Sequence, residues 1–169
     1  MCRGVNLTPA LETQLPVRKP QRLRSFDYSS TGLYFITICS LNMQKLFSVV
    51  PVNASVDTVP QLTKEGEAVA RAINNISERY QSASVDAYVI MPNHVHIIID
   101  IDNCGRQVDA PTVSRIVSFM KRAVSMELGF SPWQKSFYDR VIRDDKEYFA
   151  IAQYIINNPG KWAEDRYYL

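Results

Sequence analysis

Hydrophobic residues along the chain follow two different periods, and the order of the two patterns predicts a mixed α+β domain. Runs of β-branched and aromatic residues are typical of strands that are buried in a sheet. Such runs predict three strands, at residues 33–40, 85–91 and 94–101. A shorter extended piece, aromatic and basic, is expected within residues 133–143, and residues 42–60 are expected to form a loop or a weak edge hairpin.

Between these strands, apolar residues recur at the spacing of an amphipathic helix. The predicted helices span residues 63–80, 112–128 and 145–157, and Pro159-Gly160 ends the last one. The order β–α–β–β–α–β–α favours an antiparallel-rich sheet with helices packed on one face. We therefore predict an α+β fold with a ferredoxin-like split arrangement.

Length and composition fit one soluble domain with an ordinary core. The chain has 169 residues, of which 46% are hydrophobic and 21% charged, with a formal net charge of +2. Its positive charge is concentrated near the N-terminus, where residues 17–24 carry four cations and no anion: Arg18, Lys19, Arg22 and Arg24. We expect residues 1–24 to be an extended basic arm that contacts phosphates or is simply solvated, and residues 25–169 to form the one folded domain, which carries any functional site.

The cysteines and the apolar runs exclude several classes of protein. Cys2, Cys39 and Cys104 are far apart and odd in number, which supports neither a disulfide framework nor a zinc knuckle. No apolar run reaches the roughly 20 residues that cross a membrane, and the N-terminus has no uninterrupted apolar signal segment. A cytoplasmic protein with reduced thiols and no membrane partner is expected.

Both histidines of the chain, His94 and His96, lie two residues apart in the third predicted strand. Side chains at this spacing share one face of a strand, about 7 Å apart along the backbone, while Val95 points to the opposite face. Two neutral imidazoles on one face are suited to binding a divalent cation. A polar pair on a half-exposed strand, or a hydrogen-bonded core histidine, is the alternative interpretation.

A second candidate group lies on the last predicted helix. Tyr148, Ile151 and Ile155 form its apolar stripe, whereas Tyr154 falls outside the stripe and lies one turn before Asn158. A tyrosine next to a metal could attack a phosphate and form a covalent phosphotyrosine, since the metal would neutralise the developing charge. Packing of Tyr154 at the edge of the core, and Asn158 as an ordinary helix-ending residue, remain alternatives.

Taken together, these motifs resemble single-tyrosine transposases of the HUH type. Met-Pro-Asn-His-Val-His at residues 91–96 resembles their histidine–apolar–histidine motif, and residues 154–159 resemble the tyrosine helix of REP-associated tyrosine transposases. Residues 26–29, 34–39 and 138–143 also match the family, as do Lys161-Trp162 and Asp165-Arg166. The resemblance covers roughly residues 22–169, in order and at plausible separations.

This resemblance implies a ferredoxin-like enzyme that cleaves and rejoins single-stranded DNA at hairpins formed by imperfect palindromes. It implies that His94 and His96 bind Mg²⁺ or Mn²⁺ and that Tyr154 forms a 5′-phosphotyrosine, releasing a 3′-hydroxyl. Asn158 matches the position of a third metal ligand, where the insertion-sequence branch has glutamine. Monomer and homodimer both stay open, because the tyrosine helix of dimeric relatives can serve the metal site of the partner.

Cations near these motifs are the candidates for binding the DNA. The N-terminal group could hold the foot of the hairpin, and Arg140, Arg143 and Lys161 could contact backbone phosphates. Lys121 and Arg122 lie beside the apolar stripe of the predicted helix at 112–128 and could face a ligand. The full set is Arg18, Lys19, Arg22, Arg24, Lys121, Arg122, Arg140, Arg143 and Lys161. A catalytically silent hairpin-binding protein, a metal-dependent phosphoesterase that uses water, and a purely structural protein are the alternative functions.

Overall fold

A four-stranded antiparallel sheet forms the centre of the computed structural model, which describes residues 31–55, 57–102 and 111–168. Its elements, in chain order, are β1 (Gly32–Cys39), β2 (Ser48–Val49), β3 (Gln61–Leu62), α1 (Lys64–Arg79), β4 (Ala83–Ile90), β5 (His94–Ile101), α2 (Val113–Leu128), β6 (Tyr138–Ile142) and α3 (Asp145–Asn157). Two short 3₁₀ turns, Leu41–Met43 and Pro159–Glu164, complete the list. The expected arm at residues 1–24 lies outside the described residues.

The strands of the main sheet are ordered β4-β5-β1-β6, and every neighbouring pair is antiparallel. Strands β1 and β4 are joined through α1, and β5 lies between them in the sheet. Strands β5 and β6 are joined through α2, and β1 lies between them. This is the split β–α–β arrangement of a ferredoxin-like fold, so the predicted α+β class is confirmed. Strands β2 and β3 pair with each other outside this sheet, and they correspond to the weak hairpin that the sequence allowed.

The faces of β5 pack against different layers of the fold. Val95, Ile97 and Ile99 are almost fully buried in the cluster formed with α1 and α2. Ile98, on the alternate positions, belongs to a second cluster with residues of α3, including Ile155. Because side chains alternate along a strand, His94 and His96 lie on the same face as Ile98.

Helices α1 and α2 pack against one face of the sheet, while α3 covers part of the other face. Amphipathic periodicity identifies the apolar stripe of each helix but does not say which face of the sheet that stripe will contact. The position of α3 brings the tyrosine helix to the histidine face of β5. None of the helices in the described ranges is long and apolar enough to cross a membrane.

Helix ends are fixed by the side chains that the sequence indicates. Thr63 accepts a hydrogen bond from the Gly66 amide at 3.1 Å, and Asp144 accepts one from the Glu147 amide at 2.8 Å. Such N-caps satisfy backbone donors that the helix cannot pair internally. The last strand is shorter than the predicted extended piece, because within that segment only Tyr138–Ile142 pairs continuously with β1.

Gly66 allows a close contact between α1 and the chain before β2. A Cβ atom at this position would overlap the carbonyl oxygen of Phe47, which already accepts a hydrogen bond from the Thr63 amide at 3.0 Å. We therefore expect Gly66→Ala to lower the free energy of unfolding by about 2 kcal/mol or more. Chemical denaturation measures the change, with the exposed Asn74→Ala on the same helix as control. Equal stability of Gly66→Ala and wild type would contradict this packing.

Candidate active site

The hydroxyl of Tyr154 reaches the histidine pair within one chain. Its oxygen lies 3.2 Å from Nε2 of His96 and 3.4 Å from Oδ2 of Asp165. The Tyr154 ring packs against the His96 ring, with centroids 5.1 Å apart. Strand β5 and helix α3 therefore bring together His96 and Tyr154, which the sequence singled out and which lie 58 residues apart in the chain. Their chemical roles stay predictions.

Hydrogen bonding from Asn93 fixes the protonation of His94. The amide nitrogen of Asn93 donates to the carbonyl oxygens of Tyr167 at 2.7 Å and Met43 at 3.3 Å, so its Oδ1 faces Nδ1 of His94 at 2.9 Å. An amide oxygen can only accept, and Nδ1 of His94 must therefore carry the proton. The lone pair of the His94 Nε2 is left open, and this buried atom has no partner among the described residues.

The second imidazole, His96, is held from the neighbouring strand. Thr37 stands opposite His96 in the β1–β5 pairing, and its hydroxyl lies 2.8 Å from Nδ1 of His96. The remaining ring nitrogen, Nε2, faces Tyr154. The two imidazole rings lie with centroids 4.5 Å apart and are both fully buried. Partners that orient the outer nitrogen of a histidine are typical of metal-binding imidazoles.

Asp165 completes the group, and the sequence analysis assigned it no role. One ligand atom each from His94, His96 and Asp165 lie within 4.8 Å of one another. The carboxylate accepts hydrogen bonds from the Asn158 side-chain amide at 2.8 Å and from the Tyr167 backbone amide at 2.7 Å. Asp165 follows the 3₁₀ turn Pro159–Glu164, which returns the chain across the site, and no periodic pattern in the sequence marks that return.

Asn158 lies behind Asp165. It is buried, and its amide nitrogen is used by the Asp165 carboxylate. Its Oδ1 is buried without a hydrogen-bond partner in the described part of the chain. In this arrangement Asn158 orients the carboxylate, and its expected role as a direct metal ligand stays a prediction.

Two imidazole nitrogens and a carboxylate oxygen form a donor set that suits a divalent metal ion. The buried Nε2 of His94 fits this interpretation. A buried nitrogen lone pair without a hydrogen-bond partner in the described part of the chain is unfavourable, and a metal ion would give it one. His94, His96 and Asp165 are therefore the residues that could hold the metal.

Burial controls the protonation of these groups. Desolvation lowers the pKa of His94 to about 4, with Asp165 opposing the effect and Arg166 adding to it. Desolvation also lowers the pKa of His96 well below its ordinary value, assisted by the charges of His94 and Arg166. Both imidazoles are thus neutral at pH 7, as metal ligands must be. Burial, followed by the charge of Asp165, raises the pKa of Tyr154 to about 12, so its phenol is protonated at neutral pH.

The candidate DNA-binding cations fall in different places. Lys161 lines a cavity beside Tyr154, together with Arg166, which the sequence analysis did not include among its DNA contacts. Lys121 donates to the carbonyl oxygens of Gln134 at 2.8 Å and Ser136 at 3.0 Å, so it ties α2 to the segment before β6. Its burial lowers the pKa of the ammonium to about 8.

The other candidate cations are exposed, paired with Glu147, or outside the described residues. Arg140 pairs with Glu147 of α3, and Arg122 and Arg143 are exposed. The N-terminal candidates lie outside the described residues: Arg18, Lys19, Arg22 and Arg24. DNA contact by any of these cations stays a prediction.

Comparison with known proteins places the chain in a family. It is 31% identical over 173 residues to a Haemophilus influenzae protein named "Uncharacterized protein", and the match covers 90% of this chain and 93% of that relative. The chain therefore belongs to the same family as this protein, whose name states no activity. No family model matches the chain.

A solved structure shares the fold. A REP-associated tyrosine transposase bound to a REP hairpin superimposes with a TM-score of 0.61 and 22% identity, over 86% of this chain and 77% of that one. At this level of identity the likeness supports the ferredoxin-like architecture described above.

The buried neutral state of His94 predicts how stability depends on pH. Because the folded-state pKa is about 4 and the unfolded value near 6.5, the unfolded chain takes up the proton first. The stabilisation is complete above about pH 6.5 and is lost as the pH falls towards 4, by roughly 2–3 kcal/mol. The free energy of unfolding, measured with denaturant at each pH across this range, should change less steeply with pH in His94→Gln than in wild type. The same pH dependence in the variant and the wild type would contradict the burial of a neutral His94.

Proposed function

We propose that this chain is a metal-dependent nuclease and strand transferase, a transposase-type enzyme that cleaves and rejoins single-stranded DNA at hairpins through Tyr154. The observation that carries the proposal is the position of the Tyr154 hydroxyl, 3.2 Å from Nε2 of His96 and 3.4 Å from the Asp165 carboxylate. A nucleophile beside a buried donor set for a divalent metal is the arrangement that phosphodiester transfer needs.

In the proposed reaction, the Tyr154 oxygen forms a bond to phosphorus, and the bond from phosphorus to the 3′ oxygen breaks. The product is a 5′-phosphotyrosine and a free 3′-hydroxyl, which takes up a proton as it leaves. If His94, His96 and Asp165 hold Mg²⁺ or Mn²⁺, the ion would supply positive charge that polarises the phosphate. Rejoining runs the same steps in reverse, because the phosphotyrosine link conserves the energy of the broken phosphodiester bond.

The tyrosine must lose its proton as the new bond forms. With the Tyr154 pKa raised to about 12, the phenol is a weak nucleophile until a nearby group accepts that proton or a cation stabilises the phenolate. Asp165 is within reach, since its Oδ2 already accepts from the Tyr154 hydroxyl at 3.4 Å. We assign Asp165 to two tasks in this scheme, holding the metal and accepting the proton that the Tyr154 hydroxyl loses as its oxygen bonds to phosphorus.

Asp165, rather than Asn158, is the third ligand in this proposal. An ionised carboxylate oxygen binds a hard cation better than a neutral amide does, because it adds negative charge to the site. Asn158 then positions the carboxylate by donating to it at 2.8 Å. This assignment departs from the ligand that the family resemblance implied.

Hairpin DNA is the proposed partner, since the neighbour of similar fold is bound to a REP hairpin. Lys161 and Arg166 line the cavity beside Tyr154 and would contact the phosphates on either side of the cleaved bond. The basic residues of the N-terminal arm and of the exposed surface would extend this contact. Because Tyr154 reaches His96 of its own chain, a single subunit contains every group of the site, and a homodimer is not required for assembling it.

Tyr154→Phe removes only the attacking oxygen, so it should abolish covalent attachment while leaving DNA binding close to wild type. The assay incubates the protein with single-stranded DNA from the flanks of its gene and Mn²⁺, and then detects SDS-resistant protein–DNA adducts on a denaturing gel. Tyr148→Phe, which loses only a hydrogen bond from α3 to Asp86, is the matched control and should form adducts.

The same assay separates the alternative functions. Strand cleavage without any adduct would indicate hydrolysis by water, and hairpin binding without cleavage would indicate a silent binding protein. Equal cleavage by wild type and Tyr154→Phe would overturn the role of the tyrosine.

Metal affinity should depend more on Asp165 than on Asn158. By calorimetric titration with Mn²⁺, Asp165→Asn should weaken binding by about 100-fold, and Asn158→Ala by about tenfold, as expected for a residue that orients a ligand. Glu164→Gln removes the neighbouring charge and should leave the affinity nearly unchanged. A larger loss in Asn158→Ala than in Asp165→Asn would instead favour the amide as the ligand.

A further inference from the structure

A cavity of about 460 Å³ opens beside Tyr154, lined by residues of α3 and of the turn that follows it. Four residues of α3 line it at helical spacing: Ala150, Gln153, Tyr154 and Asn157. Residues three, four and seven apart share one face of a helix, so these side chains form one wall. The methyl group of Ala150 leaves space where a longer side chain would fill the cavity, and the volume is within the range of small-ligand sites.

Two polar side chains on this wall, Gln153 and Asn157, are not used by the described part of the fold. No side-chain hydrogen bond within the described ranges engages the amide of Gln153 or that of Asn157. Lys161, across the cavity, likewise forms no ion pair with the residues that the structure describes. By contrast, the neighbouring amide of Asn158 is committed to Asp165. Two side-chain amides and an ammonium, all unpaired within the described ranges, therefore face the space next to the proposed nucleophile.

Charges around the cavity suggest how a nucleotide would lie in it. Lys161 and Arg166 attract phosphates, and Arg166 is stacked over the Tyr167 ring with 4.6 Å between its guanidinium carbon and the ring centroid. Glu164 lines the same space, and its negative charge repels a phosphate. The Asp165 carboxylate is already hydrogen-bonded to the Asn158 amide. Backbone phosphates are thus expected at the two cations, and an uncharged base between them.

We propose that Gln153 and Asn157 read the base of the nucleotide next to the scissile phosphate. The inference rests on the proposed function, because Tyr154, the proposed nucleophile, lines this cavity, and a group bound there would lie close to the cut. A side-chain amide offers one donor and one acceptor, which match the edge of adenine at N6 and N7. A bidentate contact of this kind discriminates against the wrong base by about 5- to 150-fold.

The test uses a pool of single-stranded DNA with random positions flanking a hairpin, incubated with the full chain and Mn²⁺. Adducts are isolated, and both the released 3′ ends and the protein-linked 5′ ends are sequenced, which gives the base preference on each side of the cut. Wild type should prefer one base, with adenine expected, at a position adjacent to the cut. In Gln153→Ala and Asn157→Ala, adduct formation on that base should fall at least fivefold, to the level of the other three.

Matched variants separate base reading from general effects. Lys161→Ala should lower adduct formation on all bases alike and reduce its dependence on salt, because it removes a phosphate contact. Asn75→Ala, an exposed asparagine on α1, should keep both the yield and the preference of wild type. Thermal unfolding of each variant checks that it folds.

The outcomes distinguish this inference from the function on which it rests. Adducts that show no base preference next to the cut, or a preference that Gln153→Ala and Asn157→Ala both retain, would overturn base reading while leaving the transferase intact. Absence of adducts from wild type on every member of the pool would overturn the proposed function itself.

Discussion

Burial of alternate residues of β5 under α1 and α2 is the constraint on which the candidate site depends. Val95, Ile97 and Ile99 are almost fully buried on that face, and a slip of one residue in the strand would move this apolar set to the other face. The same slip would carry His94 and His96 into the apolar core. The hydrophobic effect that stabilises the sheet therefore also fixes the direction of both imidazoles.

The second requirement is the return of the chain after α3. The 3₁₀ turn Pro159–Glu164 carries Asp165 and Tyr167 back across the histidines. Asn93 links the two regions, because its amide nitrogen donates to the Tyr167 carbonyl while its oxygen accepts from His94. The orientation of His94, the position of the Asp165 carboxylate and the placement of the last segment are thus coupled through one buried amide.

Local patterns in the sequence predicted the elements and part of the site. Strand alternation placed both histidines on one face, and helix periodicity separated Tyr154 from the apolar stripe of α3; both features depend on neighbours within a few residues. The position of α3 on the opposite face from α1 and α2 could not be predicted in this way, because it depends on packing between distant segments.

Asp165 and Lys121 both show that local sequence patterns do not reveal contacts between distant segments. Asp165 acquires its neighbours only through the turn that precedes it, so strand and helix periodicity do not place it beside the histidines. Lys121 was considered for contact with a ligand because it borders an apolar stripe, but its ammonium is used by two backbone carbonyls before β6. Charge along a sequence identifies cations, whereas tertiary structure decides which of them are free.

The central claim is that Tyr154 is the residue that becomes joined to DNA beside the histidine pair. Its most direct test is mass spectrometry of the adduct after digestion with nuclease and trypsin. Trypsin should release residues 147–161, a peptide that contains both Tyr148 and Tyr154, and fragmentation distinguishes the two. The account predicts a nucleotide linked through phosphate to Tyr154. Attachment to Tyr148 or to any other residue, or cleavage with no modified peptide, would contradict it.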